Sequence, residues 1–306
     1  MNHPAHPELA RTGPVAFSGS PIDRADNLRA DPDALAGMMN WKARLLKLDE
    51  LMPELDDTGR LAWGTLADAP EDAELVFLGI DRADGGEKPC FAAIPKQGDA
   101  SPRMANPKLW SLMATLEPGD LATYGGARSL VDWHARHRFC AECGAPTKVA
   151  KGGWQRSCDA GQSGCGAQHF PRTDPVTIML VEYDGRLMLG RGKGWPERSF
   201  SALAGFVEPG ETIEEAVARE VYEESGVRVR DVSYVASQPW PFPSQLMMGC
   251  HSYADDDELV IDETEMAEII WFTREEVIAS LEGDGPFRAP PPHAIACNLM
   301  KWWLSK

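Results

Sequence analysis

The sequence lacks any hydrophobic run of the roughly 18 residues that a membrane-spanning helix needs, so we expect no membrane association. It also lacks an excess of positive charge, because 30 Lys and Arg face 47 Asp and Glu for a net charge of −17. Such a surface repels polyanions, which argues against sequence-independent nucleic-acid binding. An anionic substrate would need local cations or a bound metal. The first residues carry no pattern of a secretion signal, so the expected compartment is the cytoplasm.

Cysteine is scarce, and the seven residues cannot all pair. Disulfides are not expected in the cytoplasm. Three of the cysteines are scattered in apolar surroundings and are predicted to be small core residues: Cys90, Cys250 and Cys297.

The other four cysteines form a cluster in the middle of the chain. Cys140 and Cys143 flank a tight turn that aims two thiolates at one point, as a tetrahedral zinc site requires. Cys158 and Cys165 supply the second pair, and glycines between and beside them allow their wider spacing. We predict one structural Zn²⁺ whose four thiolates leave no position for catalysis. A redox pair is the alternative, and the two extra thiols and the lack of a βαβ pattern argue against it.

The 306-residue length suggests two domains with a small element between them. After an irregular lead-in of about 40 residues, short strand patterns and two helical patterns predict an N-terminal α+β domain. The strands are expected at 43–51, 60–66, 73–81 and 90–95, and the helices at 108–116 and 120–137.

The second half mixes strands and helices but has too few crossover helices for a doubly wound sheet. It starts with a strand at 174–183 and a hairpin turn at Asp184-Gly185. Further strands are expected at 186–189, 227–236, 246–253 and 269–272, and helices at 212–225, 273–281 and 293–304.

Glutamates dominate the predicted helix at 212–225. On a helical wheel, Glu220 and Glu224 continue the apolar stripe and Glu223 lies beside them, whereas the solvated face holds Glu214, Glu215, Ala218 and Tyr222. Carboxylates in core-facing positions repel one another unless a cation compensates. Hard oxygen ligands on one face suit Mg²⁺ or Mn²⁺, which bridge protein carboxylates and substrate phosphates. The alternative is a solvated acidic helix with i,i+4 pairs.

These residues resemble the Nudix box, which has Gly, five residues, Glu, seven residues and then Arg-Glu-U-x-Glu-Glu-x-Gly-U, with U aliphatic. Every defined position agrees: Gly205, Glu211, Arg219, Glu220, Val221, Glu223, Glu224, Gly226 and Val227. The resemblance implies a Nudix hydrolase with an α/β/α sandwich and a mixed sheet, which cleaves a nucleoside diphosphate linked to another group. It further implies that Glu220, Glu223 and Glu224 are catalytic and bind the divalent metals.

A proline-rich aromatic segment follows the box. Because each proline fixes φ and lacks an N–H, the segment is stiff and cannot be a helix or a central strand. It can present Gln238, Trp240 and Phe242 at a low entropy cost for stacking a base or nicotinamide ring. A rigid core-packing loop is the alternative. The residues concerned are Ser237, Gln238, Pro239, Trp240, Pro241, Phe242, Pro243 and Ser244.

This segment is similar to the Ser-Gln-Pro-Trp-Pro-Phe-Pro-x-Ser signature of the NADH pyrophosphatases, except that the last serine, Ser244, comes one place early. That family also has a four-cysteine zinc ribbon, and residues 16–24 are similar to its N-termini. The resemblance implies an N-terminal Nudix-like α+β domain at 1–135, a zinc ribbon at 136–172 and a Nudix catalytic domain at 173–306.

The family resemblance implies hydrolysis of NADH and NAD⁺ to nicotinamide mononucleotide and AMP, removal of NAD caps from RNA, and a homodimer. By resemblance, the Ala204 carbonyl and Glu265 complete the Mg²⁺ or Mn²⁺ site, while Phe170 and Ala296 join residues 237–244 in the substrate pocket. Phe170 replaces a common tyrosine, so a ring contact can persist without a hydroxyl. Arg191 and Lys193 are candidate phosphate partners on spacing alone.

Two alternatives stay open at this point. One is a Nudix hydrolase for another dinucleotide, ADP-ribose or diadenosine polyphosphate, which would not need a nicotinamide pocket. The other is a non-catalytic regulator that senses a nucleotide, and such a protein could lose box glutamates. Here none is lost.

Overall fold

The computed structural model describes residues 11–83, 85–101, 107–161 and 164–306. The first ten residues of the expected lead-in lie outside the described residues. The chain forms two compact units. One contains Phe17–Thr173 with Pro239–Ser244, and the other contains Asp174–Gln238 and Gln245–Lys306 with residues 11–16. The division into domains at 1–135, 136–172 and 173–306 stays a prediction.

The first unit contains a five-stranded sheet in the order β1-β6-β7-β2-β5 and a separate β3–β4 pair. The strands are β1 Ile22–Asp23, β2 Arg44–Leu46, β3 Leu48–Asp49, β4 Met52–Pro53, β5 Trp63–Thr65, β6 Leu75–Asp81 and β7 Lys88–Ala93. The single strand predicted at 43–51 is therefore wrong. It divides into β2, which pairs with β5 and β7, and β3, which pairs with β4, and Glu50 after β3 has a left-handed φ of 55°.

Helices flank these strands in the chain: α1 Asp26–Arg29, α2 Pro32–Met38, α3 Pro107–Met113 and α4 Pro118–Arg136. The prediction of α3 and α4 is confirmed, and Pro118 occupies the first turn of α4, where its missing N–H costs nothing. A core of sheet residues that includes Phe77, Ile80 and Phe91 packs under α1 and α2.

A three-stranded antiparallel sheet in the order β10-β9-β8 follows α4, and it consists of β8 Thr147–Ala150, β9 Gln155–Cys158 and β10 Gln168–His169. The buried Arg156 connects it to the rest of the first unit. Its guanidinium donates to the Thr147 carbonyl at 2.8 Å, contacts His134 Nδ1 at 3.1 Å and pairs with Glu74 at 3.2 Å. Because a buried cation must be fully paired, the small sheet is held in one place.

The second unit is built on a mixed six-stranded sheet in the order β14-β15-β11-β12-β16, with β13 paired to β11. The elements are β11 Asp174–Tyr183, β12 Arg186–Gly192, β13 Leu203–Phe206, α5 Ile213–Ser225, β14 Val229–Trp240, β15 Gln245–Ala254, β16 Met266–Phe272, α6 Arg274–Glu282 and α7 Ile295–Leu304. The central pair β11–β15 is parallel, whereas β12 and β13 are antiparallel to β11.

Alternation along β11 explains the layers. Met179 and Val181 pack in one core with Val217 and Val221 of α5, whereas Ile178 and Leu180 pack in another with residues of α7. The expected α/β/α sandwich is confirmed. Among the described residues, no helix is long and apolar enough to cross a membrane.

The structure agrees with the predicted hairpin turn of this unit and with the predicted core cysteines, and it lengthens one predicted strand. The turn at Asp184-Gly185 has φ values of 46° and 70°, as a type I′ hairpin requires. Strand β14 extends to Trp240, four residues past its predicted end, because an edge strand tolerates Pro239. The three core cysteines predicted above are all buried.

Candidate metal and nucleotide site

Helix α5 is fixed at both ends by its own sequence. The Thr212 hydroxyl accepts a hydrogen bond from the Glu215 N–H at 3.2 Å, and the Glu215 carboxylate accepts one from the Thr212 N–H at 2.8 Å. Gly226 ends the helix with φ 74°, and a Cβ there would lie 2.8 Å from Val260 Cβ. The glutamates between these caps therefore have a defined direction.

Glu224 is the buried member of the group. Only 9% of the residue is exposed, and its Oε2 has no hydrogen-bond partner among the described residues. The Glu220 side chain is 15% exposed, as the helical wheel predicts, but the Glu223 side chain is 57% exposed. The Glu223 side chain is therefore more exposed than the predicted position beside Glu220 and Glu224 suggests. The reason is that Glu223 lies at the edge of the helix face that Val217 and Val221 bury.

Arg219 organises the other carboxylates around it. Its guanidinium forms two hydrogen bonds with Glu211, at 2.6 and 2.8 Å, and reaches Glu220 at 2.8 Å and Glu223 at 3.0 Å. It also donates to the Phe206 carbonyl at 2.9 Å. This fork holds the pKa of Glu211 at about 2, so Glu211 is a fixed anion that orients Arg219.

The remaining acids repel one another. Burial, together with the negative charges of Glu220, Glu265 and Asp262, raises the pKa of Glu224 to about 8. Burial also raises the pKa of Glu220. A divalent cation would relieve this repulsion and give the unpartnered Oε2 of Glu224 a ligand role. The donor set consists of hard oxygens, so it fits Mg²⁺ or Mn²⁺.

The other predicted ligands lie on segments close to α5: Ala204 precedes Gly205 on β13, and the charge of Glu265 raises the pKa of Glu224. A Cβ on Gly205 would overlap the Glu220 carboxylate, so only glycine lets β13 approach α5 here. Ala204, the preceding residue, is exposed on β13 and pairs with Ile178. Glu265 lies in the loop before β16, and its carbonyl accepts from the Lys193 N–H at 2.9 Å.

Asp262 was not singled out from the sequence. Its N–H donates to the Glu224 carbonyl at 3.0 Å, and its carboxylate accepts from the Thr264 N–H and hydroxyl at 2.8 and 2.9 Å. The Thr264 N–H in particular lowers the pKa of Asp262. The acidic stretch around Glu265 contained the signal, but spacing alone did not separate Asp262 from its neighbours.

The four clustered cysteines come together as predicted. Their sulfur atoms all lie within 4.8 Å of one another, which among the described residues holds for no other group of possible metal ligands. The N–H of Ala145, with help from the Cys158 thiol, lowers the pKa of Cys143 to about 7, which favours the thiolate that zinc needs. The longer second knuckle closes on itself, because the Gly164 N–H bonds to Asp159 at 3.0 Å.

The aromatic segment is packed tightly. Gln238 is fully buried, and it accepts from the Ile295 N–H at 2.9 Å while donating to the His293 and Ala16 carbonyls. Phe242 is 1% exposed and stacks on Trp110 at 6.3 Å, whereas Trp240 is half-buried. Tertiary contacts therefore cover Gln238 and Phe242, as the core-packing alternative expects, and the assignment of this segment to substrate binding stays a prediction.

Arg128 fixes this segment in the first unit and was also missed from the sequence. The side chain is 2% exposed, donates to the Pro241 carbonyl at 2.6 Å and lies 4.6 Å over the Phe242 ring. It is paired with Asp99. The neighbouring Ser129 hydroxyl donates to the Pro243 carbonyl at 3.2 Å. Two carbonyls of the segment are therefore held by α4.

The other predicted contact residues are distributed as follows. Phe170 is 61% exposed, and Ala296 is buried on α7. Ser237 accepts from the Tyr234 hydroxyl at 3.1 Å. Of the two candidate phosphate partners, Arg191 is paired with Glu268 at 2.8 Å, whereas Lys193 lies next to the acidic group and helps to lower the pKa of Asp262.

Family models match the chain in three consecutive parts. A rudimentary NUDIX domain like that of NADH pyrophosphatase matches residues 41–133, the NADH pyrophosphatase zinc ribbon domain matches 135–170, and the NUDIX domain matches 171–293. The second match agrees with the sulfur cluster and identifies a zinc ribbon.

Curated relatives extend over most of the chain. It is 44% identical over 284 residues to the NAD-capped RNA hydrolase NudC of Mycobacterium bovis, covering 90% of this chain and 85% of that protein. It is 40% identical to the human NAD-capped RNA hydrolase NUDT12, covering 86% of this chain and 54% of that protein. Among solved structures, a NUDIX hydrolase from Nitrosomonas europaea matches with a TM-score of 0.43 at 22% identity, over 54% of this chain and 90% of that one.

Proposed function

The chain belongs to the NADH pyrophosphatase family of Nudix hydrolases, and we propose that it hydrolyses the pyrophosphate bond of NADH and NAD⁺ to nicotinamide mononucleotide and AMP. The same reaction would remove NAD from the 5′ end of RNA, as the names of its relatives suggest. The observation that carries the proposal is the buried Glu224, with its unpartnered Oε2, beside the half-buried Glu220 on the helix of a complete Nudix box.

The residues of the site have different proposed roles. Glu220, Glu223, Glu224, Glu265 and the Ala204 carbonyl are the proposed ligands of Mg²⁺ or Mn²⁺. Such an ion, when bound, neutralises the diphosphate and lowers the pKa of the attacking water. A glutamate of the box would accept the proton of that water. Arg219 keeps the neighbouring carboxylates in position.

Substrate binding is assigned to Phe170, Ser237–Ser244 and Ala296, with Lys193 as a phosphate partner. Arg191 is a weaker candidate because Glu268 already neutralises it. Trp240 is half-buried and its ring contacts Phe17, Trp110 and Phe242. It is the proposed stacking residue, because Phe242 is almost fully covered. The homodimer and the cytoplasmic location stay predictions, and light scattering of the purified protein tests the first.

Product analysis tests the proposed reaction. Zinc-loaded protein is incubated with NADH, with and without Mg²⁺ or Mn²⁺, and the products are separated by chromatography. AMP and reduced nicotinamide mononucleotide in equal amounts, formed only with the divalent metal, are expected. Cleavage of ADP-ribose or diadenosine polyphosphate with NADH left intact would contradict the proposal, and so would capped RNA left intact for the RNA activity.

Arg128 offers a test of the aromatic segment. Arg128→Met removes the hydrogen bond to the Pro241 carbonyl and leaves Asp99 without its partner, so Trp240 loses its fixed position. We expect KM for NADH to rise about 10-fold with kcat changed less than about 3-fold, because the glutamates are untouched. Steady-state kinetics with NADH measure both constants.

Arg128→Lys is the matched control, since it keeps the charge beside Asp99 but loses the planar fork. It should recover part of the KM and most of the melting temperature. Equal losses in kcat and KM, or an unchanged KM in a folded Arg128→Met variant, would exclude a positioning role for Arg128.

A further inference from the structure

A second cleft, of about 460 Å³, lies within the second unit and outside the glutamate group. Its walls come from α6, α7, the segment between them and the loop before β13. Three cationic side chains line it: Arg198, Arg288 and Lys301. Glu197 is the one carboxylate in its lining, and Cys297 lies on the α7 side.

The charge of this cleft is opposite to that of the chain as a whole. None of its three cations forms an ion pair with a carboxylate among the residues that the structure describes. Lys301 contacts the thiol of Cys297 instead. Three like charges in one concave site repel each other, and an anion with several charges would relieve that repulsion. In a chain with a net charge of −17, such a local excess of positive charge is the exception.

The cleft is also built to hold its shape. Arg198 has a left-handed φ of 63° and donates to the Gly285 and Pro286 carbonyls at 2.7 and 3.0 Å. The Arg288 N–H donates to the Arg198 carbonyl at 2.6 Å, so the two arginines are adjacent. Prolines at 290–292 stiffen the opposite wall. The exposed Arg288 and Lys301 side chains remain available to a ligand.

The cleft is connected to the glutamate group through a short loop. Lys193, whose N–H bonds to the Glu265 carbonyl, and Arg198 both lie in this loop between β12 and β13. Five residues span at most about 18 Å between Cα atoms even when fully extended. The Cα atom of Arg198 therefore lies at most about 18 Å from that of Lys193, the residue next to the acidic group.

We propose that this cleft binds phosphodiester groups of the RNA chain that follows an NAD cap, with Arg288 and Lys301 as the principal contacts. The identity of the substrate, NAD-capped RNA, rests on the proposed function. The RNA-binding test below does not depend on that function. The site would give a protein of strong negative charge a local surface for a polyanion. It would add affinity for capped RNA over free NADH without changing the bond that is cleaved.

The test compares two double variants with the wild-type protein. R288Q/K301Q removes the two cleft charges, and R228Q/R230Q removes two exposed charges of the same unit outside the cleft. Binding of an uncapped single-stranded RNA is measured by fluorescence anisotropy at several salt concentrations. R288Q/K301Q is expected to weaken binding about 10-fold or more and to reduce the salt slope by roughly 1.4, about 0.7 for each lost phosphate contact. R228Q/R230Q should bind as the wild type does.

Kinetics complete the test. For R288Q/K301Q, KM for capped RNA should rise by a similar factor while kcat/KM for NADH stays unchanged. Wild-type-like RNA binding by R288Q/K301Q, or equal losses in both variants, would overturn the inference even if NADH is cleaved. Full displacement of RNA by inorganic pyrophosphate at equal phosphate concentration would identify a free-phosphate site and also overturn it. Failure of the wild type to cleave NADH would reject the proposed function. The RNA-binding measurement would still show whether the cleft binds RNA.

Discussion

Replacing Glu224 by Gln is expected to lower the turnover of NADH by about 10²-fold or more while the protein stays folded. Glu224 is the most buried acid of the α5 group, and its Oε2 has no partner among the described residues. The amide fills the same space but can neither ligate the divalent metal as an anion nor accept a proton. Turnover with NADH at saturating Mg²⁺ or Mn²⁺ is the measurement.

The melting temperature of the same variant distinguishes a loss of metal binding from a loss of folding. Burying a carboxylate among Glu220, Glu265 and Asp262 costs free energy when no cation is bound. The melting temperature of E224Q without added Mg²⁺ or Mn²⁺ should therefore equal or exceed that of the wild type. E214Q is the matched control on the exposed face of α5 and should leave turnover within about 2-fold. Unchanged turnover in E224Q would exclude the metal assignment.

The second large effect is expected at the zinc ribbon. Cys143→Ser should reduce bound zinc from one ion per chain to none and abolish the cooperative melting of the first unit. Zinc sites of this kind contribute roughly 10–16 kcal/mol in isolated peptides at neutral pH, which exceeds the stability of most domains. The buried Arg156, which pairs with Glu74 and bonds to Thr147, would transmit the loss to the neighbouring sheet.

Zinc content by elemental analysis and thermal melting by circular dichroism test this prediction. C250A is the control, because Cys250 is buried in the other unit and should not affect the zinc content. One zinc per chain retained in the Cys143 variant would disprove the site. A wild-type protein with no zinc and with paired cysteines would favour the redox alternative instead.

Much of helix α5 could be predicted from local spacing. The 3.6-residue period separates Glu220 and Glu224 from the exposed Glu214, and Thr212 and Gly226 mark the ends of α5. The cysteine spacing likewise predicted four convergent sulfur atoms. These features depend on residues close in sequence, whose relative directions are fixed by helix or turn geometry.

The tertiary structure alone decided which residues of the aromatic segment stay accessible. Pro241 meets Arg128 across more than 100 positions of sequence, and Gln238 bonds to residues from both ends of the second unit. The pairing of Arg191 with Glu268 and the adjacency of Arg198 and Arg288 also depend on distant segments. Spacing does not encode such contacts, because each depends on how whole elements pack. The sequence by itself thus determined which metal-binding and aromatic residues the chain contains and which of them share a helix face or a turn. Packing decided which of their side chains stay exposed to a ligand.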